Sequence, residues 1–257
     1  MNKKERPVIL VTNDDGVMAP GLEALAGEMS SLGRVVVVAP DSPQSGMGHA
    51  ITINDLLRLD KVVGRKDWYQ CSGTPVDCVK IAIDKILHRK PDLCVSGINH
   101  GSNSSINVIY SGTMSAAMEG AIEGIPSIGF SFINYSLDAD LGGARSYSKI
   151  IARQILKQGL PQGTLLNVNF PNVPESKIKG VKVCRQARAK WEEEFDERQD
   201  PQKRKYYWLT GKFVNYDKGE DTDEWALQNG YVSVVPVHYD FTAHHAMSFL
   251  NKLDFQK

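Results

Sequence analysis

The chain has 257 residues, with 30 Lys and Arg balanced by 30 Asp and Glu, and 42% of its residues are hydrophobic. That composition, at this length, describes a globular protein with a full core and excludes collagen-like, low-complexity and disordered classes for the chain as a whole. A formal net charge of zero argues against a polyanionic partner, so no nucleic-acid polymer is expected.

The apolar run at 8–11 is too short for a secretory leader. No segment approaches the roughly 20 apolar residues of a membrane span. No membrane partner is expected, and the location expected is cytoplasmic. Cys71, Cys78, Cys94 and Cys184 form no C-x-x-C pair and are too sparse for a disulfide scaffold.

Strands and helices are predicted to alternate through the first 170 residues. The run 8–11 (VILV) reads as a strand buried on both faces. Pro20 opens a helix with Leu22, Leu25, Met29 and Leu32 on one stripe, and Gly33 stops it. Residues 34–39 form a second buried strand, which implies a right-handed parallel crossover. Residues 50–71 read as less regular β structure. Thr74 and Asp77 make a capping-box pattern for a helix over 75–88. A strand at 92–96, a helix at 114–123, a strand at 127–131, a helix at 145–157 and a strand at 164–170 follow.

Beyond residue 180 the composition changes, and 13 of the 21 residues from Arg185 to Lys205 are charged. The flanks 181–187 and 205–214 are expected to pair as a long hairpin whose charged tip is solvated. A strand at 231–237 is expected to return to the core, and a short helix at 242–253 to end the chain. This gives an α/β fold: a Rossmann-like three-layer core with a mostly parallel sheet over 1–180, and a hairpin and tail extension over 181–257.

Thr12-Asn13-Asp14-Asp15-Gly16 directly follows the first buried strand. Ligands of open parallel sheets bind beyond the carboxyl ends of strands. Adjacent carboxylates there repel and resist desolvation, and a hard divalent cation relieves both costs. Convergence of Asp14 and Asp15 needs a turn, which Gly16 permits; a plain Asx turn before the helix is the competing explanation. The second and third strands also exit into polar loops, at 39–49 and 96–103, and Ser111-Gly112-Thr113 precedes a helix, a ready anion site. Solvated turns would explain any one of these loops. Together they describe a metal and anion pocket.

The sequence lacks a P-loop, a G-x-G-x-x-G turn after the first strand and a G-x-S-x-G elbow. Adjacent rather than alternate carboxylates favour water activated by a metal over a covalent aspartyl intermediate. His49 and His100 lie in the pocket loops, and His49 is a candidate for protonating a leaving group.

Taken together, N-D-D-G at 13–16, Ala19-Pro20-Gly21, Ala39-Pro40 with Ser45, Gly73-Thr74-Pro75, Ser96-Gly97-Ile98-Asn99-His100-Gly101 and Tyr110-Ser111-Gly112-Thr113 resemble the SurE family of nucleotidases. The likeness extends to Asp240-Phe241-Thr242-Ala243 in the tail. It implies a phosphomonoesterase acting on nucleoside 5′- and 3′-monophosphates with one Mg²⁺ or Mn²⁺ per subunit. By the same resemblance, Asp14, Asp15, Ser45 and Asn99 are the metal ligands, with Asp14 and Asp15 catalytic. Asn103, Ser111, Gly112 and Thr113 would contact phosphate, and Gly73 and Thr74 would line the pocket. The resemblance also implies a homodimer or homotetramer built through the hairpin and tail. The alternatives are a non-catalytic nucleotide-binding protein and a receiver-like signalling module. The latter would need a phosphoacceptor Asp where this chain has Ser96-Gly97-Ile98-Asn99.

Overall fold

In the computed structural model, which describes residues 6–255 except residue 137, strand β1 (Val8–Thr12) is buried along its whole length. Ile9 and Val11 enter one core, and Val8 and Leu10 enter another on the opposite face. Strand β2 (Arg34–Pro40) divides in the same way, with Val37 and Ala39 on the first side and Val36 and Val38 on the second. Period-two alternation with both faces apolar gives a strand sandwiched between two helical layers.

The remaining strands are β3 (Leu59–Lys61), β4 (Trp68–Cys71), β5 (Leu93–His100), β6 (Ser127–Phe132), β7 (Thr164–Phe170), β8 (Val181–Val183), β9 (Ala189–Gln199), β10 (Lys205–Asn215) and β11 (Val232–His238). Nine of the eleven described strands form one sheet in the order β3-β4-β2-β1-β5-β6-β7-β11-β8. The six from β4 to β7 in that order are parallel. β11 returns antiparallel beside β7, with Val234 opposite Val168.

Helices α1 (Pro20–Ser30) and α4 (Gly142–Gln158) cover one face through Leu22, Leu25, Met29, Ile151 and Ala152. Helices α2 (Pro75–Ile81) and α3 (Gly112–Ile122) cover the other through Cys78, Val79 and Ala116. Pro20 sits in the first turn of α1. Gly21 is required there because a Cβ at that position would lie 2.0 Å from the Ile98 carbonyl oxygen. The Thr74–Asp77 capping box opens α2 as predicted, and the helix continues with π-helical winding to Leu87. Two short helices, α5 (Asp223–Gln228) and α6 (His244–Leu250), belong to the C-terminal part. No helix among the described residues is long and apolar enough to cross a membrane.

The extension differs from the expected pairing. Residues 181–183 do not pair with 205–214; as β8 they join the main sheet, parallel to β11. The partner of β10 is β9, in register from Ala189–Asn215 to Gln199–Lys205. The charged run is therefore one strand of the hairpin rather than its tip. It is exposed on both sides along most of its length, so neither face needs apolar residues and the run carries no strand period. Residues 50–58 likewise form loop rather than β structure.

β1 runs between β2 and β5, and the chain order reverses there. That is the topological switch point, where strand ends open a crevice.

Candidate functional site

The turn after β1 supplies the first carboxylates. Asn13 Nδ2 donates to the Gly16 carbonyl at 2.9 Å, and Gly16 takes φ +100°, which closes the bend that a strand lacks. Asp14 is only 4% exposed. Its Oδ1 accepts from the Thr113 hydroxyl at 2.5 Å. Gly112 packs directly on it, and a Cβ there would lie 2.7 Å from the Asp14 Cβ. Burial pushes the Asp14 carboxyl up to about 6; the Thr113 hydrogen bond opposes this and the Asp15 charge adds to it. Asp15 Oδ2 is buried without a hydrogen-bond partner. The nearest imidazole atom, His100 Nδ1, is 3.6 Å away, beyond hydrogen-bonding range.

Two further strand ends complete the crevice. Gln44 N donates to the Asp14 carbonyl at 2.8 Å, which draws the loop after β2 across the turn. A bulge between Ser96 and Asn99 interrupts the pairing of β5 with β6 and re-aims the end of β5. Asn99 Nδ2 donates to the Gly101 carbonyl at 2.9 Å, which leaves Oδ1 as its ligand atom. Asn103 is held by its neighbours in the sheet. Its N donates to Asn169 Oδ1 at 2.9 Å and its Nδ2 to Ser131 Oγ at 2.8 Å. Ser111 caps α3 by accepting from Met114 N at 3.1 Å. Asp14, Ser45, Asn99, Asn103 and Ser111 line one cavity of about 440 Å³.

Among the described residues, no group of three or more His, Cys, Asp and Glu gathers as a metal cluster. The donors here are two carboxylates with a hydroxyl and an amide oxygen. A buried carboxylate raised to about 6 beside an unpartnered carboxylate oxygen is an uncompensated acidic pair. Hard oxygen donors of this kind fit Mg²⁺ or Mn²⁺.

Two buried carboxylates that the sequence reading passed over brace this site. Glu119, in the middle of α3, is 2% exposed. It meets Lys80 Nζ at 2.5 Å and His49 Nε2 at 3.0 Å. Burial pushes its carboxyl up, but those two partners outweigh burial and hold it below its ordinary value. The pairing ties the loop that carries Ser45 to the helix that carries Thr113. Asp223 is fully buried. It accepts from Ser105 N at 2.7 Å and from Ala187 N at 2.9 Å, and desolvation raises its carboxyl above the ordinary value. Ser105 is held at φ +53°, and its Oγ donates to the Ala187 and Ala189 carbonyls. This bracket fixes the segment between Asn103 and Ser111 against the base of the hairpin.

Of the ten predicted residues, Asp14, Ser45, Asn99, Asn103 and Ser111 line the cavity, Gly112 and Thr113 pack on Asp14, and Asp15 lies next to Asp14, 3.6 Å from the cavity-lining His100. Gly73 and Thr74 lie outside the cavity lining; Thr74 Oγ1 caps α2 and donates to the Ala50 carbonyl at 2.7 Å. His49 points to Glu119 and lines a second cavity of about 560 Å³ with Met118, Val237 and Phe241. The sequence did hold a signal for Glu119, the one charge in the otherwise small and apolar helix GTMSAAMEGAI. Asp223 follows an ordinary cap residue, and nothing marked it.

The profile of the family described as Survival protein SurE matches residues 9–193. The 5′-nucleotidase SurE of Christiangramia forsetii is 66% identical over 98% of each chain. That of Flavobacterium psychrophilum is 63% identical over 98% of this chain and 99% of its own. Among solved structures, the SurE protein of Aquifex aeolicus superposes with a TM-score of 0.85 at 42% identity, over 95% of this chain and 98% of that one.

Proposed function

The chain belongs to the SurE family, and on that premise we propose that it is a divalent-metal-dependent phosphatase of nucleoside 5′- and 3′-monophosphates. The observation that carries the proposal is buried Asp14 beside half-buried Asp15 at the switch point, with Asp14 held against the N-terminus of α3 and lining one cavity with Ser45 and Asn99.

Asp14, Asp15, Ser45 and Asn99 would hold one Mg²⁺ or Mn²⁺. When bound, such an ion supplies Lewis acidity toward the phosphoryl group and toward a water nucleophile. The Asp14–Asp15 pair takes the proton that the attacking water loses. Asn103, Ser111, Gly112 and Thr113 bind the phosphoryl oxygens, and the first-turn N–H groups of α3 face the charge that grows on them. Thr74 acts at one remove, through the Ala50 carbonyl and the loop that carries Ser45, and Gly73 leads the chain into that cap. The leaving nucleoside oxygen takes its proton from solvent, since His49 is engaged by Glu119.

Residues 1–180 form the catalytic unit in this reading, and 181–257 the assembly extension of a homodimer or homotetramer. Exposed Phe195 and Trp208 on the hairpin and Phe241 and Phe249 in the tail support that assignment, because exposed large apolar groups of this kind mark protein contacts. Four buried, unpaired thiols support a reducing, cytoplasmic setting.

Phosphate release from 5′-AMP and 3′-AMP, each with Mn²⁺, with Mg²⁺ and with EDTA, tests the proposal. Metal-dependent release that EDTA abolishes is expected. Release that persists in EDTA would remove the role given to Asp14 and Asp15.

A further inference from the structure

The phosphate cavity does not end at Ser111. Tyr110 and Trp191 form its outer wall, and the same two rings begin a second cavity of about 480 Å³, continued by Leu209, Thr210 and Gly211 of the hairpin. Tyr110 stands one residue from the cap of α3 and is 52% exposed, and Trp191 is 39% exposed. Trp191 is nevertheless fixed. Its Nε1 donates to Asn107 Oδ1 at 2.8 Å, and its ring packs edge-on against Phe213 with centroids 5.6 Å apart. An indole pinned at one edge and open elsewhere is a preorganised stacking surface, because little rotamer freedom is lost when a ring settles on it.

The charge of this second cavity selects its occupant. Among the described residues, its one charged lining side chain is Glu193, and no Lys or Arg lines it. A second phosphate or a phosphate chain would meet a carboxylate there with no cation. A flat, uncharged, aromatic group meets two rings, the Leu209 side chain and the open backbone at Gly211. We propose that this aromatic shelf, Trp191 with Tyr110, is the nucleobase subsite. It rests on the nucleotidase reading above: the phosphate lies at Asp14 and α3, and the base reaches out to the hairpin. Stacking of this kind accepts any base, since every base has a π-face.

The test compares 5′-AMP with ribose 5-phosphate, which keeps the phosphate and sugar but has no base. In Trp191→Leu, the ratio of kcat/KM for 5′-AMP to that for ribose 5-phosphate is expected to fall about ten-fold, the scale of one lost base–aromatic stack. Trp191→Phe, which keeps a ring, recovers most of that ratio. On the unaltered protein, 5′-AMP quenches tryptophan fluorescence and ribose 5-phosphate does not, and Trp191→Phe removes the quench. An unchanged ratio in Trp191→Leu, whether both activities fall together or neither falls, overturns the subsite while the nucleotidase reading stands. If the unaltered protein with Mn²⁺ hydrolyses neither compound, both readings fall together.

Discussion

Replacing Asp14 with Asn is expected to abolish turnover and at the same time stabilise the metal-free protein. The first effect follows from removing one of two carboxylates at the cation site. The second follows from the carboxyl's environment. Its value rises from 3.8 to about 6 on folding, with burial as the main cause. A raised carboxyl binds its proton more tightly folded than unfolded, so its stability contribution is most favourable below pH 3.8 and is lost as pH rises toward 6. Above that window the cost levels off at about 3 kcal/mol, from about 1.4 kcal/mol per pH unit. The Asn amide can still accept from Thr113, but burying its NH₂ offsets about 1–2 kcal/mol of the gain. The net expectation at pH 7.5 is a gain of roughly 1–2 kcal/mol, or about 2–8 °C in Tm for a chain of this size. At pH 5 the charge cost has dropped to roughly half, so the advantage of Asp14→Asn shrinks toward zero. Thermal melts in EDTA at the two pH values measure this directly, and a second series with Mn²⁺ should raise the Tm of the unaltered protein alone. A variant less stable than the unaltered protein in EDTA at pH 7.5, or one that Mn²⁺ stabilises equally, would refute the reasoning.

Two other substitutions probe the scaffold of the site. Gly112→Ala puts a methyl 2.7 Å from the Asp14 Cβ, so either the turn or α3 must move. Activity should fall at least ten-fold on the scale of an ångström's misplacement, with far-ultraviolet circular dichroism unchanged. Glu119→Gln removes a buried charge whose two partners are partly exposed, so the loss is expected nearer about 1–2 kcal/mol than the full cost of breaking a buried pair. The Glu119 carboxyl lies below its ordinary value in the fold, so its contribution holds above that ordinary value and fades as pH falls through it. Melts should show the variant's deficit in full at pH 7 and reduced at pH 4. Titration of Mn²⁺ should show weaker binding, because the loop carrying Ser45 loses its tether.

Much of the sheet was legible because burial on both faces leaves a plain mark. VILV at 8–11 and the valines of β2 have no competing explanation. Asp14 and Asp15 stood out for a different reason, as adjacent carboxylates at the end of an apolar strand, though a plain Asx turn competed; Asn99 was singled out only through the family resemblance. β9 was not legible, since a strand solvated on both sides obeys no alternation, and its charges resemble those of a loop. Glu119 and Asp223 were missed because a carboxylate's burial depends on partners far away in sequence, Lys80 and His49 for one and Ser105 and Ala187 for the other. Trp191 was not singled out, because nothing in the sequence shows that the fold sets it beside Tyr110.

The bracket at Asp223 also imposes a timetable on the molecule's birth. Asp14, Ser45, Asn99, Asn103 and Ser111 have all been synthesised by residue 113, more than a hundred residues before Asp223. A nascent chain ending between those points holds these residues, yet it lacks the carboxylate that accepts from Ser105 N. A chain cut short by a nonsense codon ahead of residue 223 is in the same condition. The Ser105 backbone therefore gains its carboxylate partner only after most of the chain has been synthesised.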